Sequence, residues 1–323
     1  MRALFLGTPS FSCPTLSSLI GAGHEVVGVV TRRDMPAGRG RKLTPPPVKS
    51  LALEHGLRVF QPAKVNAPEA VDALRELRPD VVVVAAFGAI LRRPLLTLAP
   101  QGAVNVHASL LPAYRGVAPA QWSLIHGQRR AGVTTMLMDE GVDTGPILER
   151  RETEVRPMET AGELLIRLAD LGGSLLVETL RGLEDGSLVP VPQPVEGASY
   201  APRLEKEHGY LDLSLPAGKV FDQFRGVTPA PGARVFVGGD AVLVEAMRPV
   251  PGTGGVPYRV LELSGRHLRV AAGSGAVDLL RVRPPARRTM DGSAYARGRL
   301  QTGASLALPP VVPDLSLRVA VPQ

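Results

Sequence analysis

Cysteine is almost absent from this 323-residue chain. Cys13 stands alone, which excludes an intrachain disulfide and a zinc site built on cysteine pairs. Aromatic residues are scarce as well, at 4%, so any core has to be aliphatic. No apolar run approaches the ~18 residues that a membrane-spanning helix needs; the apolar part of 80–91 is too short. The start, Met1 to Gly7, is apolar only until Gly7 and Pro9, so it reads as a first strand rather than a secretory leader. Two nucleotide signatures are missing too. Neither the three-glycine dinucleotide fingerprint nor a Gly-x-x-x-x-Gly-Lys-Ser/Thr loop occurs, which excludes a nicotinamide dehydrogenase and a P-loop nucleotidase. A soluble, cytoplasmic protein is the expectation.

What is present is apolar and periodic. Hydrophobic residues make up 44% of the chain, and its length suits about two domains. Runs at Ala3–Leu6, Glu25–Thr31, Asp80–Ala86, Val104–His107, Gly132–Met138 and Ile147–Glu154 read as strands. Helical patterns fall between them at Ser10–Gly21, Val48–His55, Ala67–Leu77 and Ala118–His126. A longer one runs from Thr160 to Leu180, with Glu163 placed to complete a capping box. The valines of 81–84 leave no polar face, as a strand buried on both sides requires. Strands spaced by helices predict an α/β domain over 1–189, a doubly wound, mainly parallel, Rossmann-like sheet. Pro190, Pro192 and Pro194 then open a stiff linker over 190–209. From 210 onward short strand patterns alternate with Gly-rich turns such as Gly238-Gly239-Asp240. They predict a small, OB-like β barrel over 210–323. The tail 304–323 is expected either to wrap a surface or to be disordered.

Charge is distributed unevenly. Residues 201–323 carry 16 Lys/Arg against 10 Asp/Glu, whereas the first 200 carry 21 against 20. Within that near-neutral part, 32–49 holds Arg32, Arg33, Arg39, Arg41, Lys42 and Lys49 against Asp34 alone. A basic loop over 32–47 and a basic C-terminal domain point to a polyanion, most simply nucleic acid. A generic solubilising surface accounts for the charge count equally well.

Chemistry concentrates in one run, Asn105-Val-His107-Ala-Ser109-Leu110-Leu111-Pro112. On a strand over Ala103–His107, Asn105 and His107 fall on one face. Asp143 follows a second strand. Ligands of open α/β sheets bind outside the carboxyl ends of the strands. Ala86-Phe87-Gly88, Asn105–Pro112 and Asp139–Gly145 are therefore expected to gather on one sheet edge. Phe87, Leu110, Leu111 and Pro112 would wall a pocket suited to a flat aromatic ligand. There the Asn105 amide and a protonated His107 can hold an oxyanion without a covalent nucleophile, with Asp143 orienting the ring. Each residue alone has a plainer reading: a strand-end turn, a core histidine, and the closer of an Asx turn. Together they favour the site. The turn Gly7-Thr-Pro-Ser-Phe11 adds a helix N-terminus that can face an anion or substrate. The other five histidines lack ligand spacing, so no metal is expected.

These residues resemble the folate-dependent formyltransferases, whose signature is Asn-x-His-x-Ser-Leu-Leu-Pro with a later Asp. Within that family the resemblance is to the methionyl-tRNA formyltransferases, and it spans nearly the whole chain. It runs through Gly7–Phe11, Pro36–Lys42, Pro47–Lys49, Tyr114-Arg115-Gly116 and Asp143-Thr-Gly145. It implies catalytic roles for Asn105, His107 and Asp143, and folate contacts at Ser109, Leu110, Leu111 and Pro112, beside Phe87 and Gly88. It also implies 10-formyltetrahydrofolate as formyl donor and charged initiator tRNA as acceptor. The tRNA would meet Arg33, Arg39, Arg41 and Lys42 of a loop that orders on RNA, then Lys206, Arg287 and Arg288. Three departures stand out, one of them the divergent surroundings of Arg287-Arg288 within Pro285–Gly292. The family's tryptophan between the prolines of 229–231 is missing, and Lys206 precedes Glu-His instead of an acidic pair. A monomer acting in translation initiation is the expectation. The alternatives are a transferase for a small amine, a formyltetrahydrofolate hydrolase and a non-catalytic RNA-binding protein. The basic loop and C-terminal domain speak against the first, and the intact trio against the last.

Overall fold

The computed structural model describes residues 1–37, 40, 42–252, 254–316, 318 and 319. β1 (Arg2–Gly7) leads through a 3-10 turn to α1 (Cys13–Gly21) and β2 (Glu25–Val30). The basic segment that follows is more than the expected loop. β3 (Met35–Ala37) and β4 (Lys42–Thr44) pair antiparallel, and Gly40 between them takes the positive φ a tight turn needs. Next come α2 (Pro47–Glu54), β5 (Val59–Phe60), α3 (Pro68–Arg75), β6 (Val81–Ala85) and α4 (Arg93–Leu96). β7 (Ala103–His107), β8 (Arg115–Gly116), α5 (Pro119–Ile125), β9 (Arg130–Leu137), β10 (Ile147–Glu154) and α6 (Ala161–Glu184) complete this half. Proline stands in the first turn of α1 through α5, where its missing N–H costs nothing. Thr160 and Glu163 form the expected capping box on α6, a motif worth about 1 kcal/mol.

Seven strands form one sheet in the order β10-β9-β7-β6-β1-β2-β5. It is parallel from β7 to β5, and its central strand β6 is buried at every residue. Val104 and Val106 face the side covered by α1 and α6, while Ala103 packs on the other side with Leu4, Leu6, Val82 and the α3 residues Val71 and Leu74. β9 departs from the expectation. It runs antiparallel to both β7 and β10, so its carboxyl end lies beside the start of β7, where the Met138 N–H bonds the Ala103 carbonyl. The loop after it therefore does not leave from the sheet edge where β6 and β7 end.

The second half begins with β11 (Ser199–Ala201), which pairs parallel with β8. Strand patterns dominate the sequence here, yet α7 (Ala217–Val227) intervenes. Its Val220, Phe221, Phe224 and Val227 are buried in one core with Ala118, Trp122 and Ile125 from the α5 region. β12 (Ala233–Val237), β13 (Asp240–Val250), β14 (Val260–Ser264), β15 (His267–Ala271), β16 (Ala276–Arg283) and β17 (Met290–Asp291) follow. They make an antiparallel sheet in the order β12-β13-β16-β15-β14, with β17 beside β16. After α8 (Gly292–Ala296), the chain bridges Phe236 on β12 at Ala307 and Arg259 at Ser305. The described part of the tail therefore wraps. Leu306 is buried, and β18 (Arg318–Val319) pairs antiparallel with β11.

Candidate active site

β7 delivers the two polar side chains that strand alternation requires on one face. Asn105 and His107 are both buried, at 8% and 6% exposure, on the side of the sheet away from α1 and α6. Beyond β7 the Leu-Leu-Pro turn is held by its neighbours. Thr134 Oγ1 donates to the Ser109 carbonyl at 2.6 Å and accepts the Leu111 N–H at 3.1 Å. Arg150 donates to the Leu111 carbonyl at 3.0 Å, and Ser109 Oγ donates to the Ala113 carbonyl at 2.6 Å. Leu111 itself is core: its side chain is fully buried with Met136 and Ile147, so it does not wall a cleft. Leu110 and Pro112 are half-buried. Phe87 belongs to the core on the α3 side, and Gly88 is exposed with its carbonyl bonded by Arg32.

Asp143 reaches this face although its strand ends elsewhere. One carboxylate oxygen accepts from Asn105 Nδ2 at 3.4 Å, and the other lies 3.5 Å from His107 Nδ1. That second oxygen also accepts the Gly116 N–H at 2.8 Å. The loop is fixed by Gln193, whose amide donates to the carbonyls of Asp143 and Gly145, each at 2.8 Å. Gly145 is obligatory there, because a Cβ would stand 1.9 Å from the Leu137 carbonyl oxygen. The plainer reading of Asp143 as the loop's turn-closing acid fails. Asp139 does that work, accepting from the Gly141 N–H at 3.1 Å and from Thr144 Oγ1 at 2.7 Å. Asp143 is left to face the amide and the imidazole.

The acceptors around His107 assign its two nitrogens. Nε2 lies 2.9 Å from the Tyr114 carbonyl, which can only accept, so Nε2 carries a hydrogen. Nδ1 is the nitrogen turned toward Asp143. Nε2 is thus anchored on Tyr114 while Nδ1 faces the carboxylate, and one of the two Asn105 amide hydrogens is directed at Asp143. An amide, a ring nitrogen and a carboxylate so arranged can hold an oxyanion and relay a proton.

Comparison with known proteins bears on which reaction this serves. The formyl transferase family profile matches residues 1–180, and the formyl transferase C-terminal domain profile matches residues 203–300. A methionyl-tRNA formyltransferase of Trichlorobacter lovleyi is 44% identical, with 95% of this chain and 97% of that protein covered. One from Solibacter usitatus is 45% identical over 94% of this chain and 97% of its own length. The chain belongs to the methionyl-tRNA formyltransferase family. Among solved structures, HypX from Aquifex aeolicus in complex with tetrahydrofolic acid shares the fold, with a TM-score of 0.65 at 19% identity. It covers 96% of this chain, which spans 51% of HypX. An N-formyltransferase from Helicobacter canadensis, in complex with folinic acid and dTDP-3-aminofucose, gives a TM-score of 0.67 at 16% identity. There 86% of this chain and 98% of that one are covered.

For a member of this family the basic candidates are spread out. Arg33 and Lys42 are exposed on the β3–β4 segment, Lys206 on a 3-10 turn, and Arg287 and Arg288 on the turn after β16. Arg39 and Arg41 lie outside the described residues. Two other basic groups of the segment are already engaged, Arg32 with the Gly88 carbonyl and Lys49 with Asp34 at 2.8 Å. Lys49 and Gln61 hold the Asp34 carboxyl below its usual pKa. Sequence reasoning missed Gln193, which also accepts from Arg115 at 2.8 Å, and it missed the Tyr114 carbonyl. Gln193 sits among prolines that read as a spacer, and no local signal marks either group.

Proposed function

We infer that this protein transfers the formyl group of 10-formyltetrahydrofolate to the α-amino group of methionine carried by initiator tRNA, in the cytoplasm. The observation that carries the reading is the meeting of Asn105 and His107 on the two oxygens of one carboxylate, in a chain 44% and 45% identical to two relatives of that name. The donor would lie along the turn from Ser109 to Pro112, with Leu110, Phe87 and Gly88 nearby, and Leu111 supporting it from the core. The amine attacks as the neutral form, accessible near neutral pH because an unperturbed α-amine titrates at about 7.7–8.0. Its bond to the formyl carbon forms as the carbonyl oxygen gains charge, held by the second Asn105 amide N–H and, with both His107 ring nitrogens carrying hydrogen, by the Nδ1–H beside Asp143. Asp143 keeps the ring in place, and through a water it helps pass the amine proton to the departing folate nitrogen. One such oxyanion donor is worth about 2.7–4 kcal/mol.

The basic residues serve the RNA: Arg33, Arg39, Arg41 and Lys42 at the acceptor end, Lys206 beside it, Arg287 and Arg288 along its body. The C-terminal sheet, bridged at both edges by residues 305–307, acts as an OB-like barrel in this reading. The active unit is a monomer of three parts, a catalytic domain over 1–189, a linker over 190–209 and an RNA-binding domain over 210–323. A formylation assay comparing charged initiator tRNA, charged elongator tRNA and free methionine tests the assignment. Transfer confined to the initiator species is expected. Folate turnover without a formylated tRNA would overturn it.

A further inference from the structure

Tyr114 joins His107 to the rest of the molecule. Its carbonyl takes the Nε2–H of His107 and thereby points Nδ1 at Asp143. Its backbone sits at φ +60°, a region bulky L-residues seldom occupy, so something has to hold it there. The amide N–H is held by Ser199 Oγ at 2.9 Å. The far end of the side chain is held as well. Its phenol oxygen lies 3.2 Å from Gln128 Nε2 and 3.3 Å from His126 Nδ1. The Tyr114 ring stacks on the His126 ring, centroids 5.7 Å apart and planes at 27°. Trp122 tilts against His126 at 5.5 Å, and His126 Nε2 lies 3.1 Å from the Leu315 carbonyl in the returning tail.

The hydrogens in this chain have one consistent arrangement. A carbonyl only accepts, so His126 Nε2 donates to Leu315. Nδ1 then accepts from the Tyr114 hydroxyl, and the Gln128 amide donates to the same hydroxyl oxygen. Every bond is made with a neutral His126. Burial pushes the His126 pKa down, Lys219 adds to that, and the bond to Leu315 opposes both. Burial likewise raises the Tyr114 phenol, which keeps its proton.

We propose that His126 is a positioning residue for formyl transfer: through the ring and hydroxyl of Tyr114 it sets the carbonyl that orients His107. The tail carbonyl at Leu315 locks His126 into that role. The proposal rests on the reading of His107 as catalytic, and its test separates the two. The full-length His126→Ala and Tyr114→Phe variants are assayed for single-turnover formylation, for KM of both substrates, and for the 15N signals of the His107 ring. Both are expected to lose about 10-fold in kcat, the scale of a small misplacement near reacting atoms. KM should stay within about twofold, and the His107 signals should move, Nε2 most. His126→Asn, which keeps a polar atom near Nδ1, should recover part of the rate. Tyr114→Phe keeps the ring volume, so it remains informative even where His126→Ala fails to fold. An unchanged rate in Tyr114→Phe, or a lost rate with unmoved His107 signals, overturns the proposal. His107→Ala is the control: if it transfers formyl at the parent rate, the catalytic reading itself fails.

Discussion

Asp143 and Lys42 both sit on excursions from the same sheet, yet their surroundings are opposite. Asp143 is mostly buried and meets an amide, an imidazole and a backbone N–H, while Gln193 grips the carbonyls on its loop. Lys42 is exposed on a two-stranded hairpin, and Arg33, Lys206, Arg287 and Arg288 are equally open. On the proposed function, the contrast follows from two tasks. Stabilising a transient charge needs atoms held to a fraction of an ångström, which fits side chains that hydrogen-bond one another internally. Attracting a polyanion needs positive charge spread over a wide area, and each charge can act from a flexible stem.

The largest losses are expected on the proposed catalytic face. Asn105→Ala should lower kcat by about 10²–10³-fold, the loss typical of one oxyanion donor. Asp143→Asn should lower it by about 10²-fold or more, because a carbonyl and an amide cannot replace two acceptor oxygens. In both variants filter binding should find tRNA affinity within about twofold of the parent. A matching loss of affinity would mean that chemistry and recognition share the same residues.

Acid tests the other half. Asp278 is wholly buried on β16, where Arg269 and Arg248 bond it at 2.7 and 2.9 Å. Burial raises its pKa, but the two arginines together with His267 outweigh it, and the folded value lies below the ordinary one. A carboxyl depressed in this way stabilises the fold above its unfolded pKa of about 3.9, and that contribution drains away as pH falls through the folded value. Asp278→Asn should cost about 1–3 kcal/mol at pH 7, less than a fully buried pair because Arg248 is half exposed. Thermal melts should show the gap to the parent narrowing from about pH 4 downward. A gap that stays constant to pH 3 would remove Asp278 from the account of acid stability.

Two smaller effects sharpen the contrast. Gln193→Ala frees the Asp143 loop without touching the trio, so kcat should fall about 10-fold with little change in the melting temperature. An unaffected kcat would show that the loop holds Asp143 unaided. Lys42→Ala should weaken tRNA binding only severalfold and lower the slope of log affinity against log salt by about 0.7–0.9. A large drop in kcat at saturating tRNA would move Lys42 to the catalytic side.

How far the sequence reveals this molecule depends on whether a contact is local. The strand carrying Asn105 and His107, the Thr160 cap and the buried valines of β6 all follow from residue order, and all three stand in the structure. The direction of β9 does not, since an antiparallel strand carries the same apolar pattern as a parallel one. Helix α7 is present in the spacing of Val220, Phe221, Phe224 and Val227, but Pro216 and Thr228-Pro229 cut it to a length that resembles a strand and turn. Asp139 and Asp143 look interchangeable in sequence, and only the folded loop decides which closes the turn and which faces His107. Gln193 lies 50 residues from the carbonyl it grips, beyond the reach of any local pattern.

The central claim is that His107, held between Asp143 and the Tyr114 carbonyl, performs the transfer while the basic surface only brings the RNA. The most direct measurement is single-turnover formylation by His107→Ala at saturating donor and charged initiator tRNA, with tRNA affinity measured on the same preparation. A rate at least about 10²-fold below the parent, with Kd within about twofold, is the expected result. Transfer at the parental rate, or a Kd that worsens in step with the rate, would contradict it.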